Sequence, residues 1–196
     1  SAMAVKLHTL RLQRTYPFGG FGKRVSVHYS TEIARDQSRH IWIGDDVYVG
    51  RDVWFNVEMS GDEDKRKINL GSRCKVGKRS IISARNQIIL EEDVLLAPGV
   101  LIMDHNHEYR DPERPIYSQG TTCGGSITIG RNCWLGYGSV ICSGRGELSL
   151  GRNSVIGANS VVTKSFPAFS VVAGNPAKLI RQYDGNLKQW LRVPQG

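Results

Sequence analysis

The sequence predicts an all-β chain wound into a parallel β-helix, and three observations carry that prediction. First, an apolar residue followed by Gly recurs in six-residue steps: Ile43-Gly44, Val49-Gly50, Leu70-Gly71, Val76-Gly77, Ile129-Gly130, Leu135-Gly136, Leu150-Gly151 and Ile156-Gly157. Second, Val, Ser or Cys stands four places after the apolar residue, at Val47, Val53, Cys74, Ser80, Val94, Val100, Cys133, Ser139, Ser154 and Ser160. Third, a period of six fits neither a two-residue strand alternation nor a 3.6-residue helix, and is the mark of a β-helix with one hexad per flat side.

In chain order, residues 1–40 form an N-terminal segment outside the hexad rule, of which residues 1–3 read as a tag remnant. Val5 to Leu12 reads as a basic amphipathic start, and Gly19-Gly20-Phe21-Gly22 as a turn. The β-helix is predicted over residues 41–165. Three hexads make a coil of about 18 residues, and coils stack about 4.8 Å apart. Coil starts fall at residues 43, 70, 90, 129 and 150, so the intervals exceed a bare coil by 9, 2, 21 and 3 residues. The 9-residue excess is the charged stretch Ser60 to Arg66, read as a solvated excursion. The 21-residue excess is a loop at 104–126 that opens Asp104-His105-Asn106-His107, and a long excursion from a regular solenoid is where function concentrates. The tail, 166–196, is predicted to be helical. Pro176 opens one helix with Lys178 and Arg181 on one face, and a second, from about Asn186 to Leu191, carries Trp190.

Twenty-six Lys and Arg against 18 acids give a net charge of +8, which suits phosphate-bearing ligands such as a nucleotide cofactor or a lipid-diphosphate glycan. No nucleic-acid-binding motif accompanies the charge, so nucleic acid is not an expected partner. The four cysteines form no CxxC pair. Cys74 and Cys133 fall at inward slots, where a thiol acts as a small apolar group, and the set reads as reduced and structural. No signal peptide or run of about 20 apolar residues is visible, and the expected location is cytoplasmic.

Four further stretches sharpen the reading: Ala97-Pro98-Gly99-Val100 before the His-bearing loop, Asp111-Pro112-Glu113-Arg114-Pro115 within it, Ile129 to Gly136 with Trp134, and Val161-Val162-Thr163-Lys164 followed by Ala173 to Lys178. Over about residues 41–182 the chain resembles the left-handed β-helix O-acetyltransferases, the hexapeptide-repeat family of maltose, galactoside and nodulation-factor acetyltransferases. The Asp104 to His107 string and the tail most resemble the O-acetyltransferases of O-antigen and capsule assembly. The left hand comes from the resemblance alone, since crossover rules favour the right.

The resemblance implies acetyl transfer from acetyl-CoA to a sugar hydroxyl, on a glycan acceptor that is free or lipid-linked, by a homotrimer. Counting from Ala97-Pro98-Gly99, it assigns the general base to His107, a group whose pKa suits removal of a hydroxyl proton. His105 is the alternative base, or orders the loop. Asp104, Glu108 and Asp111 are all candidates to orient the base. The resemblance places the Tyr137 backbone N–H at the developing oxyanion, and Trp134, Gly136 and Ala158 along the groove for the pantetheine arm. Trp134 also falls in the outward last slot of its hexad, where an indole has no packing reason to be. Lys164, Lys178 and Arg181 match cations near the nucleotide phosphates. Two histidines alone do not make a metal site, and no metal is expected. The rival readings are a non-catalytic β-helix scaffold, a γ-carbonic-anhydrase-like metalloenzyme and an N-acetyltransferase acting on an amino-sugar nucleotide.

Overall fold

The computed structural model describes residues 1–59 and 66–194, so most of the Ser60 to Arg66 stretch lies outside the described residues. The chain opens with helix α1 (Ala2–Thr15), N-capped by Ser1. Among the described residues, six three-stranded coils follow. The first is β1 (Gly20–Phe21), β2 (Ser26–Val27) and β3 (Glu32–Ile33), and the second β4 (Ile41–Ile43), β5 (Tyr48–Val49) and β6 (Trp54–Val57). The third is β7 (Ile68–Leu70), β8 (Lys75–Val76) and β9 (Ile81–Ala84), and the fourth β10 (Gln87–Leu90), β11 (Leu95–Leu96) and β12 (Leu101–Met103). The fifth is β13 (Gly125–Ile129), β14 (Trp134–Leu135) and β15 (Val140–Cys142), and the sixth β16 (Gly146–Leu150), β17 (Val155–Ile156) and β18 (Val161–Val162). Corresponding strands pair in parallel to form three sheets, the faces of a left-handed β-helix.

The register is the one the hexads predict. Ile43, Leu70, Leu90, Ile129 and Leu150 stand opposite one another along the first sheet. All five are buried, in a core that runs through every coil with Val76, Leu96, Leu135 and Ile156 from the second sheet. Cys74 and Cys133 lie in that core, and burial pushes their thiols up to about 12 and about 11.

The hexad glycines serve a different purpose from turning a corner. A Cβ on Gly77 would stand 2.5 Å from the carbonyl carbon of Ala97 in the next coil, so glycine is demanded by coil-to-coil approach. The left-handed backbone falls two residues later in the hexad: Asp46, Asp52, Arg73, Arg79, Asp93, Asn132, Asn153 and Asn159 all have φ between 55° and 63°. Asp and Asn tolerate that region best among residues with a Cβ. The arginine at one such corner is held electrostatically: Arg73 donates to Asp93 at 2.6 Å, which holds that carboxyl below its usual range.

The structure corrects two expectations. The β-helix begins at Gly20 rather than Ile41, because Phe21 pairs with Ile43 and Val27 with Val49. Phe21-Gly22 with Val25 four places on was a hexad already visible in the sequence. The tail is not helical. β19 (Ser170–Ala173) extends the second sheet beside β17, and β20 (Lys178–Asp184) with β21 (Gln189–Arg192) adds an antiparallel hairpin. The rings of Phe169, Tyr183 and Trp190 meet in series, the first pair tilted and the second edge to face. Asp184 Oδ1 accepts the N–H groups of Asn186 and Leu187, forming the hairpin turn. Among the described residues, no helix is long and apolar enough to cross a membrane.

Candidate active site

The long loop, residues 104–124, leaves the third sheet after β12 and rejoins the first sheet at β13. Its root is Asp104, fully buried, whose carboxylate accepts four hydrogen bonds. Oδ1 takes the Arg85 N–H at 2.7 Å and faces His105 Nδ1 at 3.0 Å. Oδ2 takes the N–H groups of Asn86 and Gln87, each at 2.9 Å. A buried carboxylate is tolerated because charge-assisted hydrogen bonds replace its hydration. Of the three acids that could orient a histidine, Asp104 does so, and the histidine it orients is His105. Glu108 accepts from the N–H groups of Tyr109 and Arg110, and Asp111 from that of Glu113. Neither acid meets His107.

Beyond its root the loop is a strap. His107 bridges Thr121 in antiparallel fashion, Thr122 N–H donates to Asn106 O at 2.7 Å, and Glu108 N–H to Gly120 O at 2.9 Å. The side chain of Gln119 closes the far turn by bonding the backbone of Asp111 and Arg114. Arg85 reaches up to donate to Thr121 Oγ1. His107 is exposed on this strap and lines an open polar cavity of about 450 Å³ with Glu58, Arg85, Tyr117, Gln119 and Thr121. His105, 7 % exposed, is turned inward against Asp104. Of the two histidines, only His107 faces space that a substrate could enter. Sequence reasoning missed Glu58 and Arg85, which come from other coils and carry no motif.

The remaining candidates lie elsewhere on the prism. Trp134 is 49 % exposed on β14 of the second sheet, between Leu95 and Val155 of the adjacent coils. Gly136 follows, where a Cβ would stand 2.7 Å from Ala158 N. Tyr137 turns the corner towards the third sheet; its carbonyl accepts Asn159 N–H at 2.8 Å, and its own N–H has no partner among the described residues. The exposed Ala158, at the equivalent corner one coil on, likewise keeps a free N–H. Lys164 lies over the Phe166 ring at 5.7 Å. Lys178 and Arg181 are exposed on β20, opposite Ala173 and Val171, so strand pairing rather than a helical face positions them.

The loop thus sits at the corner between the first and third sheets, while Trp134 belongs to the second sheet, across the prism. One chain does not bring His107 and Trp134 together.

A family profile described as the hexapeptide repeat of succinyl-transferase matches residues 126–164. WbbJ of Escherichia coli K12, provisionally described as a lipopolysaccharide biosynthesis O-acetyl transferase, is 34 % identical over 115 residues, 56 % of this chain and 57 % of that protein. The galactoside O-acetyltransferase of the same organism is 30 % identical over 148 residues, 76 % of this chain and 66 % of that one. The chain belongs to the hexapeptide-repeat acetyltransferase family. It spans about half the length of the first curated relatives it matches. The family fold is also that of a solved mutant of AntD, an N-acyltransferase from Bacillus cereus in complex with dTDP and coenzyme A, with a TM-score of 0.71 at 15 % identity over 91 % of this chain and 89 % of that one. Family membership accounts for the hexads; the Asp104 root and the Arg85 contact are properties read from this chain.

Proposed function

We propose that this protein is an O-acetyltransferase that moves an acetyl group from acetyl-CoA to a sugar hydroxyl, on an O-antigen, capsule or related surface-glycan precursor. The observation that carries the reading is His107, exposed on an ordered strap and opening into a cavity lined by Glu58, Arg85, Gln119 and Thr121, while the neighbouring His105 is locked inward. His107 takes the proton from the acceptor hydroxyl as its oxygen attacks the thioester carbonyl. The tetrahedral oxyanion is met by the free Tyr137 N–H, a donor worth about 3 kcal/mol in such sites. Collapse breaks the C–S bond, and the proton held by His107 passes to the departing CoA sulfur.

Cys74 and Cys133 are poor thiolate nucleophiles, because they are buried with raised pKa values, which suits direct transfer over a covalent intermediate on either. Trp134 and the free Ala158 N–H suit the pantetheine arm, with Lys164, Lys178 and Arg181 on the side of the nucleotide phosphates. A homotrimer would bring the His107 strap of one subunit against the second sheet of its neighbour. Both surfaces carry uncovered apolar side chains: Tyr109, Ile116 and Tyr117 on the strap, Leu95, Trp134 and Tyr137 near the second sheet. WbbJ supports a hydroxyl on a surface glycan as acceptor. A second AntD mutant, solved in complex with dTDP-4-amino-4,6-dideoxyglucose and coenzyme A, makes an amino-sugar nucleotide the competing choice.

The test is acetyl-CoA binding by calorimetry, followed by acceptor turnover. Wild type is expected to bind, and Trp134→Ala to bind at least about tenfold more weakly, or 1.4 kcal/mol. His107→Ala is expected to lose about 10²–10⁴-fold in transfer while binding acetyl-CoA normally. Failure of the wild type to bind acetyl-CoA would overturn the proposal.

A further inference from the structure

Helix α1 has two differently built sides. Its inner side closes the open end of the first coil. Leu12 is buried in the core, and Thr9 Oγ1 accepts the Val27 N–H at 2.9 Å. Its outer side exposes Leu7 by 61 % and Leu10 by 36 %. At 3.6 residues per turn, Leu7, Leu10 and Arg14 project together, with Lys6 and Arg11 on either flank. Those three basic residues are exposed, and the helix contains no acidic residue.

Beside this stripe, between α1 and the first coils, runs an apolar groove of about 690 Å³. Val5, Leu10, Phe21 and Val25 form its walls, and no Asp or Glu lines it. Lys6 and Lys23 lie on its rim, both exposed and making no ion pair among the described residues. The third basic residue of the lining, Arg24, is engaged by Asp46 at 2.6 Å.

We infer that this end of the β-helix docks on the surface of an anionic phospholipid bilayer. Leu7, Leu10 and the groove take up the acyl-chain boundary, and Lys6, Arg11, Arg14 and Lys23 meet the headgroup phosphates. Each half of the surface needs the other. Basic residues alone would suit any polyanion, and exposed leucines alone would suit any apolar partner. Leucines ringed by basic residues, with no acid on α1 or in the groove lining, match the depth profile of a lipid interface, where the apolar face sinks to the headgroup boundary. Buried Leu12 and Thr9 hold α1 rigidly on the body, so the stripe needs no rearrangement to be presented. The inference stands apart from the acyl-transfer proposal, since vesicle binding is measured without either substrate. Taken with that proposal, it has one consequence. The strap of the fourth coil would stand three coil steps, about 14 Å, beyond the docked end, within reach of a glycan carried on a membrane lipid.

The experiment is co-flotation of the whole chain with vesicles of phosphatidylcholine alone, or with about one-third phosphatidylglycerol. Binding to the anionic vesicles, at least tenfold weaker binding to the neutral ones, and its loss at about 1 M salt are expected. Leu7→Glu should abolish flotation, and the double variant Lys6→Ala, Lys23→Ala should weaken it about fivefold per charge removed. All three side chains are exposed, and melting temperatures equal to wild type qualify the variants as folded. No flotation by the wild type, equal binding to both vesicle types, or wild-type flotation by Leu7→Glu would overturn the inference. So would a change of oligomeric state in Leu7→Glu on sedimentation, which would assign the face to a second copy of the chain.

Discussion

Asp104→Asn removes a charge that four donors share, and the cost follows from the geometry. Asparagine keeps one acceptor oxygen; its amide nitrogen occupies the other position and has no lone pair to offer. Whichever way the amide turns, two donors lose their acceptor: the N–H groups of Asn86 and Gln87, or that of Arg85 together with His105. Hydrogen bonds to a charged group contribute about 1.5–3 kcal/mol each, so the loss is about 3–6 kcal/mol. For a chain of this size 1 kcal/mol moves the melting temperature by about 2–4 °C, so a fall of at least about 6 °C is expected. The assay is thermal melting of wild type, Asp104→Asn and the exposed Glu113→Gln from the same loop, at one protein concentration. The control should melt within about 2 °C of wild type. If Asp104→Asn does the same, the carboxylate is not what fastens the loop to the coil, and the account of the site root fails.

Two other outcomes follow from the packing. Gly77→Ala drives a methyl group into the backbone of the next coil, 2.5 Å from Ala97, and should cost about 1–3 kcal/mol or more, whereas Gly185→Ala meets nothing within 4 Å and should be neutral; urea unfolding distinguishes them. His8, on the half-buried edge of α1, is held below its usual pKa by burial and by the charges of Arg11 and His28. The unfolded chain therefore binds that proton more readily than the folded one, so stability rises with pH and is lost as pH falls below about 6.5. Melting temperatures measured between about pH 7.5 and pH 5.5 should fall, and less steeply in His8→Gln; identical slopes would exclude His8 as a source of the effect.

How much of the molecule was legible depended on whether its cause was local. The column Ile43, Leu70, Leu90, Ile129 and Leu150 could be read in advance, because each hexad repeats one apolar slot and each such residue has one place to go. The buried thiols Cys74 and Cys133 were readable for the same reason. The tail was misread because Pro176 and the Lys178/Arg181 spacing suit a helix start. The Asp184-Gly185 turn was the better signal. Beside β17 and β19 lay an open sheet edge whose backbone groups needed partners, and the edge decided the outcome.

By itself, then, the sequence determined the period of the coil, the inward column, the place of the long loop and the outward slot of Trp134, all of which follow from short-range pattern. The tertiary structure alone decided which of three acids would hold a histidine, and which histidine. That choice depends on the N–H groups of residues 85–87, brought to Asp104 from nearly a full coil away. It also decided that His107 and Trp134 face away from each other, because sheet membership is a property of the closed prism, and no spacing along the chain encodes which side of a prism two residues will share.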